Sequence, residues 1–103
     1  MKIFHFKNTS NAFNYVFEKD LKANETVIVK MPAVSANKRG INDIGWLSDG
    51  NVTLYGTLAN HPESEKALWQ EILVNNEINK VTSALKIVNN GDACRIEIRA
   101  IFN

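Results

Sequence analysis

Hydrophobic and polar residues alternate along two runs between residues 81 and 102, and these runs flank Asn90-Gly91. Asn-Gly favours a two-residue type I′ turn, because both positions tolerate a positive φ angle. Such a turn fixes the register of a hairpin and places Leu85 opposite Ile96. The sequence therefore predicts a C-terminal hairpin with one apolar side. Its solvated side would carry Thr82, Lys86, Arg95, Glu97 and Arg99.

Asp49-Gly50 is a second turn signal of the same kind, between the runs 44–48 and 51–58. Pairing across it would place Trp46 and Tyr55 on the same side of a second hairpin. Because both sides of this ribbon carry bulky residues, we expect the side with the two aromatic rings to be partly exposed.

The remaining segments predict two strands and two helices. Residues 2–7 alternate weakly, and residues 26–31 form a β-branched run that is typical of an internal strand. After a cap at Thr9 or Ser10, spacings of three and four residues predict a helix with an apolar stripe. Pro62 favours the first turn of a second helix. The two stripes are Ala12, Phe13, Val16, Phe17 and Leu21, and then Leu68, Trp69, Ile72 and Leu73.

The order β-α-β-β-β-α-β-β predicts an α+β fold. Two amphipathic helices and about five to six strands most economically form a two-layer sandwich, with a mainly antiparallel sheet and both helices on one face. The first strand-helix-strand unit can supply one parallel pair. At 103 residues and 45% hydrophobic residues, the chain suits one domain, residues 1–103.

Charge and cysteine content narrow the functional classes. The formal net charge is +1, from 12 basic and 11 acidic residues, so binding to a polyanion would require local clustering. The single cysteine, Cys94, cannot form an internal disulfide, and strand parity places it in the core. The N-terminal segment lacks the apolar stretch of a secretion signal, and no run approaches the roughly 18 to 20 apolar residues that span a bilayer. We therefore expect a cytoplasmic protein.

No pattern indicates catalysis, metal binding or a cofactor. The only histidine bases are His5, in a short strand, and His61, before a proline. The chain has no pair of cysteines, no H-x-x-x-H motif and no dense carboxylate cluster. The basic loop Asn37-Lys38-Arg39-Gly40 lacks the glycine pattern of a phosphate-binding loop. We therefore expect a protein that is not an enzyme.

Surface residues suggest three functions. Apolar or aromatic residues at expected surface positions, Trp46, Tyr55 and Ile101, favour a small protein-interaction module of the accessory, inhibitor or immunity type. Pairing of the terminal strand's edge with a second copy is one way to cover Ile101, and an internal loop is the other. The alternatives are nucleic-acid binding through Lys86, Arg95 and Arg99, with Lys38 and Arg39, and a small-molecule pocket between the helices and the sheet, lined by Phe13, Phe17, Trp46 or Trp69.

Overall fold

The described part of the chain folds entirely as strands and connections. The computed structural model describes residues 3–9, 14–31, 41–72 and 83–102, and within these ranges it contains no helix. The strands are β1 Ile3–His5, β2 Lys7–Asn8, β3 Asn14–Leu21, β4 Thr26–Lys30, β5 Ile41–Ser48, β6 Val52–Thr57, β7 Gln70–Ile72, β8 Ala84–Asn89 and β9 Cys94–Phe102.

These strands form two sheets. Sheet A has the order β1-β4-β8-β6-β7, and sheet B has the order β2-β3-β9-β5. The strand predicted at 26–31 is β4, which lies between β1 and β8 and is buried on both faces. One pair is parallel, between β1 and β4, as predicted, whereas the other pairs are antiparallel.

Four short connections carry the chain from one sheet to the other. They join β1 to β2, β3 to β4, β5 to β6 and β8 to β9. Each connection joins two strands that hold the same position, counted from β1 in sheet A and from β2 in sheet B. The fold is therefore a two-layer β-sandwich in which each strand of sheet B is joined directly to its counterpart in sheet A.

The core lies between the two sheets. Both sheets contribute to one cluster of buried apolar side chains, and Phe6 joins it from the connection between β1 and β2. Sheet A supplies Val27, Val29, Leu54, Leu85 and Ile87, and sheet B supplies Phe17, Leu21, Ile96 and Ile98. Cys94 is partly buried and packs against this cluster, in agreement with the prediction from strand parity.

The prediction of two hairpins was wrong. β8 pairs with β4 and β6, and β9 pairs with β3 and β5, so the runs beside Asn90-Gly91 lie in different sheets. The runs beside Asp49-Gly50 are separated in the same way, and none of the described glycines has a positive φ. The apolar side of each run is also buried when the two runs lie in opposite sheets and face each other across the core, which is the arrangement in the structure.

The first predicted helix is replaced over its described residues by β3. Phe17 and Leu21 are buried and four residues apart. That spacing places two side chains on one face of a helix and also on one face of a strand. The predicted cap at Ser10 and the start of the stripe, residues 10–13, lie outside the described residues. Pairing with β9 along all eight residues of β3 decides for the strand.

The second predicted helix is also absent from the described residues 60–72. Backbone bonds from Ser64 N to His61 O (3.0 Å) and from Ala67 N to Ser64 O (3.1 Å) form two successive turns, after which β7 begins. Leu68, assigned to the buried stripe, is 86% exposed. The α+β class is therefore incorrect. The rest of this predicted helix, from residue 73 onwards, lies outside the described residues.

Three of the connections between sheets meet at one end of the sandwich, around the buried side chain of Asn89. Its Nδ2 donates to the carbonyl oxygens of Lys22 and Asp92 at 2.9 Å each, and its Oδ1 accepts from Gly91 N at 3.1 Å. Lys22 belongs to the connection between β3 and β4, whereas Gly91 and Asp92 belong to that between β8 and β9. The connection between β5 and β6 joins them through Asn90 N and Asn51 O (2.8 Å).

Candidate interaction surfaces

The outward side of sheet B carries alternating charges. Strand alternation buries Ile96 and Ile98 in β9 and turns Arg95, Glu97 and Arg99 outward. The neighbouring strand β3 presents Glu18 and Asp20 on the same side, because Glu18 lies opposite Glu97 and Asp20 lies opposite Arg95. We call the five residues Glu18, Asp20, Arg95, Glu97 and Arg99 the charged ladder.

Ion pairs occupy both arginines of the charged ladder. Arg95 contacts Glu18 at 3.0 Å, Asp20 at 3.1 Å and Glu97 at 3.5 Å. Arg99 contacts the second oxygen of Glu18 at 3.2 Å. The hydrogen bond to Asp20, together with the attraction of Asp20 and Glu18 and a bond to Glu97, raises the pKa of Arg95, and desolvation opposes this shift. The positive charge of this strip is therefore balanced by carboxylates.

Lys86 does not belong to that strip. It lies in sheet A, directly opposite Tyr55 of β6, so the prediction that Lys86 and Arg95 share one side of a hairpin was wrong. Its Nζ is 4.6 Å from the centre of the Trp69 ring and 5.4 Å from that of Tyr55. These cation–π contacts fix the ammonium group between two aromatic rings. On the same side of the sheet Ile28 is only 3% exposed, so this face is not an open platform for bases.

Strand β5 has one paired and one unpaired edge. Within the described residues it is the last strand of sheet B and pairs only with β9. Trp46 packs against the core, whereas Leu47 is 64% exposed. Gly45, on the same outward side as Leu47, has no atom within 4 Å of the place where a Cβ would lie. The stretch Ile44–Ser48 contains no charged residue and no proline.

The backbone groups of β5 that face the unpaired edge follow from the ladder with β9. Arg95 directs its N–H to Asp49 Oδ1 (2.8 Å) and its C=O to the Ser48 hydroxyl (2.7 Å), and therefore towards β5. In an antiparallel ladder alternate residues face the same neighbour. Gly45 and Leu47, which lie opposite Arg99 and Glu97, consequently bond to β9. The N–H and C=O groups of Ile44, Trp46 and Ser48 point to the unpaired edge, which we call the β5 outer edge.

The other sheet edges among the described residues are short or charged. β1 and β7 have three residues each, and β2 has two. β3 extends beyond its pairing with β2, but that stretch carries Glu18, Lys19 and Asp20. Short strands and charges both hinder pairing with another chain. Among the described residues β5, with eight residues, thus has the longest open edge, and its stretch Ile44–Ser48 is uncharged.

In comparisons with known proteins, no family model, no curated protein and no solved structure matches this chain.

The structure separates the remaining residues that the sequence singled out. Trp46 and Tyr55 lie in different sheets, contrary to the predicted hairpin. Ile101 belongs to β9, whose backbone pairs on both sides, with Asn14 and with Asp43, so the terminal strand is not an edge. Lys38 and Arg39 lie outside the described residues, as does Phe13.

Other chemical groups are dispersed. His61 Nδ1 lies 3.8 Å from Glu63 Oε1 on an exposed connection, and His5 is exposed in β1. Among the described residues no group of three or more His, Cys, Asp or Glu side chains is placed to hold a metal ion. No helix in the described ranges is long and apolar enough to cross a lipid bilayer.

Sequence reasoning missed Gly45, Leu47 and Asn89. For Asn89 a signal was present: it continues the alternation of Leu85 and Ile87, so its amide belongs on the core side, where a polar group needs partners. Gly45 and Leu47 gained importance only from the strand order, which local sequence does not encode.

Proposed function

We propose that this chain is a protein-interaction module without catalytic machinery, of the accessory, inhibitor or immunity type, and that it binds a partner polypeptide at the β5 outer edge. The observation that carries the proposal is an eight-residue strand that, among the described residues, is paired on one side only and is uncharged from Ile44 to Ser48. The cytoplasmic location predicted from the sequence stays part of the proposal.

The chemistry of this edge suits an extended partner segment. The outward N–H and C=O groups of Ile44, Trp46 and Ser48 can extend the ladder by one strand, as in β-augmentation. Leu47 offers apolar surface beside the new strand, and the open space over Gly45 accepts a side chain of the partner. Backbone bonds would supply affinity, and these two positions would supply selectivity.

Nucleic-acid binding has less support. Counterion release requires cations that are free to neutralise phosphates. Arg95 already contacts three carboxylates, and Arg99 contacts one of them. Lys86 lies on the other sheet between two rings. A polyanion would therefore have to displace acidic side chains at the charged ladder.

The small-molecule hypothesis loses its premise, since it placed a pocket between helices and a sheet. The described residues contain no helix. Phe17 fills the core, Trp46 packs against that core, and Trp69 contacts Lys86.

Selection of peptides tests the proposal. A random peptide library displayed on phage is selected on the immobilised chain at low surface density, and enriched peptides are titrated by fluorescence anisotropy. The double variant Gly45→Lys, Leu47→Lys places two charges beside the β5 outer edge without a steric clash at residue 45. We expect it to bind the enriched peptides at least about tenfold more weakly than the native chain.

The control is Ala93→Lys, which adds a positive charge at an exposed position in the connection between β8 and β9. It should bind the peptides as tightly as the native chain. Failure to enrich any peptide, or equal binding by the double variant, would contradict the proposal.

A further inference from the structure

The β5 outer edge restricts how a second strand can pair with it. Within the stretch Ile44–Ser48, the residues Ile44, Trp46 and Ser48 direct their backbone groups outward, so hydrogen-bonded pairs must form among these residues and their counterparts in the partner strand. If the partner is the same strand of another copy, a two-fold axis must pass through one residue. If the axis passed midway between two adjacent residues, each residue whose N–H and C=O point outward would lie opposite a residue whose N–H and C=O already bond to β9.

Two positions of the two-fold axis keep most of the uncharged stretch Ile44–Ser48 paired with the same stretch of the other copy. An axis at Gly45 places Gly45 of one copy opposite Gly45 of the other, so no side chain fills the open space above either glycine. An axis at Trp46 pairs Trp46 with itself and Ile44 with Ser48. It also places Leu47 of each copy over Gly45 of the other, where the space above the backbone is open. The second axis is therefore the complementary one.

Charge is compatible with this arrangement. The paired stretch Ile44–Ser48 is uncharged, and the formal net charge of the chain is only +1, so two copies repel each other weakly. Asp43 and Asp49 flank the stretch, and the axis at Trp46 brings Asp43 of one copy towards Asp49 of the other. Like charges in opposed positions are unfavourable. The acidic residues therefore limit the pairing to the five residues between them.

We infer that the partner at the β5 outer edge is the β5 strand of a second copy, antiparallel about a two-fold axis at Trp46. This inference rests on the proposed function and names its partner. The two copies of sheet B then form one continuous sheet across the axis, in an isologous interface. Because five-residue strands give a small interface, the dimer is weak and forms over roughly 10 µM to 1 mM chain.

Sedimentation velocity and amide exchange of the 103-residue chain test this inference. Sedimentation should show a reversible monomer–dimer equilibrium over that concentration range. Amide exchange measured by NMR should show protection of Trp46 N–H that increases with chain concentration. Gly45 and Leu47 N–H, which bond to β9, should be protected at every concentration. This alternation distinguishes pairing at the β5 outer edge from dimerisation elsewhere.

The matched variants are Gly45→Lys and Ala93→Lys, which add the same charge. Gly45→Lys should weaken the dimer at least tenfold, and Ala93→Lys should leave it unchanged. A native chain that stays monomeric at 1 mM, a dimer unaffected by Gly45→Lys, or Trp46 exchange independent of concentration would overturn the inference. A monomer that still selects peptides dependent on Gly45 and Leu47 would leave the proposed function standing with a different partner.

Discussion

At the residue scale, two glycines illustrate opposite uses of a missing side chain. Gly50 lies against the start of β9, where a Cβ would be 2.5 Å from Cys94 Cβ and 2.6 Å from its Sγ. Gly45 has open space in the same position. Neither has a positive φ. The turn signal Asp49-Gly50 thus reflects close packing of a connection against β9 rather than a hairpin conformation.

Alanine substitutions separate these two roles. Gly50→Ala should lower the free energy of unfolding by about 1 to 3 kcal/mol, because the added methyl overlaps a packed side chain. Gly45→Ala should leave it unchanged or raise it by about 0.5 to 1 kcal/mol, because glycine in a strand costs conformational entropy. Urea unfolding of both variants checks the prediction, and equal stabilities would contradict it.

At the element scale, the outward side of β9 gains its meaning from β3. Sequence alternation correctly predicted that Arg95, Glu97 and Arg99 share a solvated side. It could not supply Glu18 and Asp20, because Asp20 precedes Arg95 by 75 residues and Glu18 precedes Arg99 by 81. Glu18, moreover, was assigned to a helix. The predicted nucleic-acid-binding surface therefore lacked the two carboxylates that pair with Arg95 and Arg99.

Removal of Arg95 should expose the repulsion that it suppresses. In Arg95→Ala three carboxylates remain together, and Glu18 faces Glu97 without the guanidinium that contacts both. We expect the midpoint of thermal unfolding to fall by about 2 to 5 °C at low salt, and by less at high salt, since exposed charges are screened.

Lys66→Ala removes the same charge from an exposed connection and should change the midpoint by less. The hydrogen bond to Asp20 raises the pKa of Arg95, so the guanidinium keeps its charge through the neutral range in which the midpoint is measured and loses it only at strongly alkaline pH. A fall in the midpoint that is independent of salt would contradict an electrostatic cause.

The strands themselves were predictable only in part. The strand β4 was predictable, because its run of apolar β-branched residues is buried on both faces. The strand β3 was not predictable, because residues four apart share a face both in a helix and in a strand. Asn90-Gly91 and Asp49-Gly50 marked changes of direction correctly, but a turn signal does not state whether the chain returns to the same sheet. The β5 outer edge depends on strand order, which is a property of the whole fold.

At the scale of the whole molecule, the sandwich is held at one end by three connections that meet around Asn89. Its side chain satisfies backbone groups of two connections and is 1% exposed. Asn89 N also donates to Glu25 O at 2.9 Å. A buried amide with these partners couples the separation of the two sheets to the conformation of the connections between them.

Asn89→Ala should destabilise the fold strongly. The substitution leaves the carbonyl groups of Lys22 and Asp92 and the N–H of Gly91 without the bonds that Asn89 supplied, at a cost of about 2 to 4 kcal/mol. The adjacent Asn90→Ala is the control. Asn90 is exposed and its side chain donates to Thr53 Oγ1, so its loss should cost about 0.5 kcal/mol. Urea unfolding measures both, and similar losses would refute the role assigned to Asn89.

The position of β9 between β3 and β5 has a consequence during synthesis on the ribosome. β3 is complete at Leu21, but the strand that pairs along its whole length begins only at Cys94. At about 5 to 20 residues per second, the 73 residues from Lys22 to Cys94 take roughly 4 to 15 s to translate. Once β5 is complete at Ser48, the nascent chain carries β3 and β5 without their shared neighbour. Its exposure to aggregation is therefore greatest just before the last strand emerges.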